Sequence, residues 1–198
     1  LMRSSAASDV YKRQIVLSLF WFKEYIGHAY SINSIRDCSP EEIRLYASHP
    51  MEAIKARDAA HIAEEYAESC YAKYTLSEGN GDACRHALWS ALMTKRISRD
   101  FAYDAGLAHE GLTREYIFNF QDDSRKMDIS NNYSGRILGT TYAYYSEDFI
   151  KRQVVLEVNR GNMKRIRVYS SGSGEHIRTR SVGYYVETSN GGCRYQTK

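Results

Sequence analysis

The stretch Asp82-Ala83-Cys84-Arg85-His86-Ala87-Leu88-Trp89-Ser90-Ala91-Leu92-Met93 decides the fold. Cys84, Ala87, Leu88, Ala91 and Leu92 recur at helical spacing, which stacks them on one face. Trp89 and Met93 add apolar surface elsewhere on the circumference. A helix that is apolar on most sides belongs at the centre of a domain. Asp82 is the expected cap at its start, and the pattern carries it to about Ser98. At about 100° per residue, His86 points about 200° away from Cys84, so these two cannot form a dyad; His86 shares its face with Trp89 and Met93.

Working outward, Ser39-Pro40-Glu41-Glu42 carries a capping-box signature with proline at the first helical position. That helix should end near Ser48, because Pro50 disfavours the helical state at His49. Pro50 opens a longer helix in which Ala56, Ala59, Ala63, Tyr66, Ala67 and Cys70 form a stripe of mostly small residues. Ser77-Glu78-Gly79-Asn80-Gly81 reads as a loop. Downstream, a helix from Arg99 to Glu110 stacks Phe101, Ala105 and Ala108 and stops at Gly111. Asp128 or Ser130 is expected to cap the next helix, with a break near Gly139, and Tyr142–Val158 is again helical. Past Gly161 the period becomes two: Ile166 and Val168 alternate with Arg165 and Arg167, and Val182, Tyr184 and Val186 alternate beyond Ser171-Gly172-Ser173-Gly174. The expectation is a mainly α, compact helical bundle over 15–160, followed by a short basic β-hairpin tail over 161–198.

Leu1–Gln14 has no apolar periodicity and resembles a translated cloning-adapter sequence, so 1–14 is read as non-native. Ile15–Phe22 then reads as a first core helix in preference to a remnant signal peptide cut near Gly27-His28-Ala29; cytoplasmic and secreted locations both stay open. The 198 residues suffice for one domain with a real core. No apolar run approaches the ~18 residues of a membrane span. Cys38, Cys70, Cys84 and Cys193 are too far apart for a C-x-x-C pair, which excludes a zinc knuckle or a thioredoxin motif. From Lys151 to the end, ten Lys/Arg stand against three Asp/Glu, although the whole chain carries only +3. Nucleic acid is not the expected partner, and the basic tail reads as a solvated edge.

Three short motifs carry the chemistry: Arg85-His86-Ala87-Leu88-Trp89, His109-Glu110, and Met127-Asp128 through Asn131-Asn132 to Gly135-Arg136. In a helix, Asp128, Asn132 and Arg136 fall at four-residue spacing on one face, with Asn131 beside them. Asn is a poor helix former, so two in succession point to a use other than a solvated surface. His109 sits in the last turn of its helix, where the dipole favours imidazolium. Together these motifs resemble a bacterial domain-of-unknown-function family with the pattern R-H-A-x-W, H-E and M-D-x-x-N-N-x-x-G-R, over roughly His49 to Arg160. The resemblance implies a compact helical domain with these polar residues gathered in one place, and no established activity. In that family the position of Cys84 is often a large apolar residue, which speaks against a nucleophilic thiol.

Two readings follow. In the first, the domain is a hydrolase, with His86, His109, Glu110 and Asp128 as acid–base groups, and with His86, His109 and Asp128 able to hold zinc or manganese. Arg85, Asn131, Asn132 and Arg136 then position a small-molecule or polymer substrate or stabilise charge. In the second, the same residues form a buried, non-catalytic hydrogen-bond network, or a binding module, that fixes helix packing. The number of polar groups favours the first, since packing specificity needs only one or two.

Overall fold

The computed structural model describes residues 38–115 and 122–166, together with the backbone of 167–168 and of the strands at 174–178, 184–187 and 193–196. The expectations for Leu1–Gln14 and Ile15–Phe22 fall outside these residues. Six helices are present among the described residues: α1 (Pro40–Ser48), α2 (Pro50–Cys70), α3 (Asn80–Arg96), α4 (Arg99–His109), α5 (Asp123–Thr141) and α6 (Glu147–Asn159). The chain is mainly helical, as its periodicity predicts. Strand β1 (Lys164–Val168) follows; its backbone pairs antiparallel with β2 (Gly174–Arg178), and β3 (Tyr184–Glu187) pairs with β4 (Cys193–Gln196).

Helix α3 is the hub, with α2, α4, α5 and α6 all packed on it. Its Ala83, Cys84, Ala87, Leu88, Ala91, Leu92 and Met93 are fully enclosed. Each large side chain among them contributes about 2 kcal/mol by leaving water. On one flank α2 presents the predicted stripe, with Ala56, Ala59, Ala63 and Ala67 buried. Trp89 crosses to it and donates its indole N–H to the Ala56 carbonyl at 3.0 Å. On the other flank α5 comes closer still. A Cβ on Gly135 would lie 2.1 Å from the Ala87 carbonyl oxygen, and one on Gly139 would lie 2.5 Å from that of Ala91. Only glycine permits this approach.

The helix ends follow local chemistry. The capping box of α1 is complete: Ser39 Oγ accepts from Glu42 N–H at 3.0 Å, and Glu42 Oε2 accepts from Ser39 N–H at 3.0 Å. Ser98 caps α4 and Ser146 caps α6. After α4 the chain turns at Gly111, whose φ of +68° is the left-handed region that glycine tolerates.

Several expected boundaries need correction. Helix α3 starts at Asn80 behind Gly79, so Asp82 lies in its first turn and is not its cap; the helix ends at Arg96, because Ser98 caps α4. Helix α5 starts at Asp123, with Asp122 Oδ1 accepting from Ser124 N–H at 2.9 Å, well before Asp128. It also runs unbroken through Gly139, since the glycines serve the contact with α3 and do not interrupt the helix. The segment after Thr141 turns before α6 begins at Glu147.

Candidate functional site

The start of α3 and the first half of α5 meet at His86, and the end of α4 sets His109 beside it. Its ring is sealed, 1% exposed. Nε2 lies 3.2 Å from Asp128 Oδ1 and 3.5 Å from Asp82 Oδ1. Asp82 precedes His86 by one turn of α3, and Asp128 comes from α5. Among the described residues, these three form the group whose ligand atoms all lie within 4.8 Å of one another.

Arg85 completes the first layer. Its Nη2 donates to Asp82 Oδ1 at 2.6 Å and sits 2.8 Å from His86 Nε2. A guanidinium can only donate, so His86 Nε2 presents its lone pair and the ring proton resides on Nδ1. Nδ1 is buried without a hydrogen-bond partner, as is Asp128 Oδ1. The other Asp82 oxygen accepts from Glu78 N–H at 2.7 Å.

The electrostatics match this geometry. Burial pushes the His86 pKa well below its usual value, and the Arg85 and His109 charges push it in the same direction, so the ring is neutral. Burial raises Asp128 to about 8, helped by the Asp82 and Glu110 charges and opposed by Arg85. Burial also raises Glu110, with His109, Arg125 and Arg85 pulling it back. Asp82, Glu110 and Asp128 thus share a partly enclosed space in which Arg85 is the cation that touches the group.

His109 belongs to a neighbouring pair. Its Nδ1 lies 3.0 Å from Glu42 Oε1, while Glu42 Oε2 holds the Ser39 N–H and Ser39 Oγ donates to the Ala108 carbonyl. The ring is 38% exposed and stands 5.8 Å from the His86 ring and 5.3 Å, edge to face, from Trp89. Burial lowers the His109 pKa, but the Glu42 hydrogen bond and charge outweigh that, and the net shift is upward. Glu42 is therefore an orienting carboxylate for His109 as well as a helix cap.

The other motif residues separate. Asn131 is fully buried and its amide is committed to β1: Nδ2 donates to the Lys164 carbonyl at 3.0 Å, and Oδ1 accepts from Lys164 N–H at 2.9 Å. Asn132 and Arg136 continue the Asp128 face toward the far end of α5. Neither Arg85 nor Arg136 is ion-paired with Asp128: Arg85 is on Asp82, and Arg136 lies over the rings of Tyr103 and Tyr133. Cys84 is sealed on the opposite face of α3, and burial pushes its thiol pKa well up, the state of an inert core cysteine.

Two members of the constellation were not legible as such. Asp82 reads as a cap, although its four-residue spacing to His86 on one helix is a signal that could have joined them. Glu42 gives no such signal, because only the packing of α1 on α4 brings it to His109.

A family model described as Domain of unknown function (DUF6973) matches residues 43–162, and the chain belongs to that family. The match contains Asp82, Arg85, His86, His109, Glu110 and Asp128, while Glu42 stands just before it. No curated protein and no solved structure matches the chain. Among the described residues no helix is long and apolar enough to cross a membrane.

Proposed function

For a member of a family without an assigned activity, we propose a hydrolytic domain built around a divalent cation held by Asp82, His86 and Asp128. The observation that carries this reading is the convergence of three donor atoms within 4.8 Å, from a set in which Asp128 Oδ1 and His86 Nδ1 are buried without partners. One imidazole and two carboxylates suit zinc or manganese, and three protein ligands leave a position open for water or substrate. The neutral His86 with its lone pair on Nε2 is in the ligating state. Asp128, kept protonated by its burial, gives up that proton when a divalent ion binds. The ion, once bound, supplies an activated water and polarises an ester or phosphoryl oxygen.

The remaining groups take acid–base roles. Glu42 holds Nδ1 of His109 and thereby fixes the ring. The raised pKa of His109 suits a general acid that protonates a leaving group. Glu110 stands close enough to act on Asp128 and His109 through its charge. Asn131 takes no part, because Lys164 uses its amide. The basic strand β1 is accessory in this scheme and anchors to α5 through Asn131.

A second reading rests on Arg85. Its Nη2 touches both Asp82 and His86, as a resident cation would. In that reading the group is a structural network with arginine as its counter-ion, and a metal binds only if the half-exposed arginine swings away.

Elemental analysis of tag-free protein tests the choice. The expected result is close to one zinc or manganese per chain after supplementation, lost in Asp128→Asn, followed by ester or phosphodiester hydrolysis that depends on the ion. Metal-free protein after supplementation, with Arg85→Ala equally metal-free, refutes the cation centre and leaves the network.

A further inference from the structure

A second polar feature lies along α5, beyond the cation group. Asn132 and Arg136 stand one turn apart on the face that packs against α4. Gly106 of α4 makes room for Asn132: a Cβ at Gly106 would come 3.1 Å from Asn132 Nδ2. One turn along, the Arg136 guanidinium lies 4.7 Å from the Tyr103 ring centroid and 5.8 Å from that of Tyr133. Asn132 is 1% exposed and Arg136 6%.

Both side chains lack the partners that such burial demands. Neither amide atom of Asn132 has a hydrogen bond. Among the described residues, no carboxylate pairs with Arg136. Asp104 of α4 is already held by Arg114 at 2.5 and 2.9 Å, and Arg114 itself lies 5.0 Å over the Tyr103 ring. The other guanidinium that acts on Arg136 is Arg99, a further positive charge. A buried guanidinium is costly unless a counter-charge meets it, and the ring faces of two tyrosines return only part of that cost. None of the Arg136 nitrogens is among the sealed, partnerless polar atoms of the described residues, so the charged head keeps a path to solvent.

We propose that Arg136 forms an oxyanion site that takes the phosphate group of a small ligand. Arg136 supplies the planar fork of N–H donors, and Tyr103 and Tyr133 wall the guanidinium on its faces. The added positive charge of Arg99 suits a dianion better than a single carboxylate. The site does not depend on the cation centre: two helical turns separate Arg136 from Asp128 by about 12 Å.

Calorimetric titration of EDTA-treated protein with inorganic phosphate tests the site, with acetate as the comparison. Saturable phosphate binding is expected, at least tenfold weaker in Arg136→Met, unchanged in Asp128→Asn, and tighter than acetate. Arg136→Met should also raise the Tm of the free protein, because it removes an unpaired buried charge, and should abolish the further rise that phosphate gives the wild type. Absent binding to the folded wild type, equal binding by Arg136→Met, or a preference for acetate overturns the proposal. Should Arg136→Met fail to fold, Arg136→Lys replaces it: weaker phosphate binding is expected because the planar fork of donors is lost, and unchanged affinity refutes the site.

Discussion

Replacing Asp128 by Asn should stabilise the metal-free protein, and the gain should depend on pH in a defined way. The Asp128 carboxyl titrates at about 8 in the fold, against its ordinary value of 3.8. The native state therefore binds a proton more tightly than the unfolded chain does, so stability falls as pH rises between those two values. Each pKa unit corresponds to about 1.4 kcal/mol. At pH 7 the penalty for enclosing this group is about 4 kcal/mol relative to a side chain that is always neutral. The amide of Asn must find its own partners, which takes back ~1–2 kcal/mol. A net gain of roughly 2–3 kcal/mol follows.

The neighbours set the window in which to look. His86 has a depressed pKa, so its contribution to stability is lost as pH falls below about 6.5 and opposes the Asp128 slope there. His109 has a raised pKa; its contribution is present below about 6.5 and is lost as pH rises through its folded value, in the same direction as Asp128. That slope is common to wild type and variant, and the difference between them removes it. Between pH 6.5 and 8 the wild type should lose roughly 2 kcal/mol more than Asp128→Asn. Urea unfolding at a series of pH values, in EDTA, measures this. Parallel pH profiles for the two proteins refute an enclosed, protonated Asp128. Added zinc should raise the Tm of the wild type and leave the variant unchanged.

Three further predictions rest on the same structure. Arg85→Ala removes the cation that touches Asp82 and His86, so zinc affinity should rise, and the Asp128 pKa, which Arg85 holds down, should climb further; an affinity that falls shows that Arg85 helps to build the site. Glu42→Gln keeps a capping-box side chain but removes the charge beside His109, so the His109 pKa should drop, by NMR titration, to or below the ordinary histidine value; an unmoved titration breaks the orienting role of Glu42. Gly135→Ala places a methyl group against the Ala87 carbonyl and should cost about 3 kcal/mol, or roughly 5–10 °C in Tm, despite the better helix propensity of alanine; a stabilised variant contradicts the close approach of α5 to α3.

Sequence alone determined the elements whose cause is local. The apolar circumference of 82–93 marks α3 as central, Ser39-Pro40-Glu41-Glu42 places the start of α1, and Pro50 separates α1 from α2, because periodicity, capping and proline sterics act over a few residues. The same short range brings Asp128, Asn132 and Arg136 onto one helix face. The start of α5 escaped because Asp123, Ser124, Arg125 and Lys126 carry no apolar stripe, and its continuity through Gly139 escaped because glycine reads as a break when its packing partner is unknown. Only the tertiary structure decided which polar groups meet. The approach of α5 to α3, allowed by Gly135 and Gly139, carries Asp128 to within 3.2 Å of His86, and the packing of α1 on α4 sets Glu42 on His109. It also withdrew Asn131, whose amide Lys164 claims from a strand more than thirty residues away. Burial then did what no residue pattern can express: it kept His86 neutral and raised Asp128, because the ionisation of a side chain depends on the water and charges that the whole fold leaves around it.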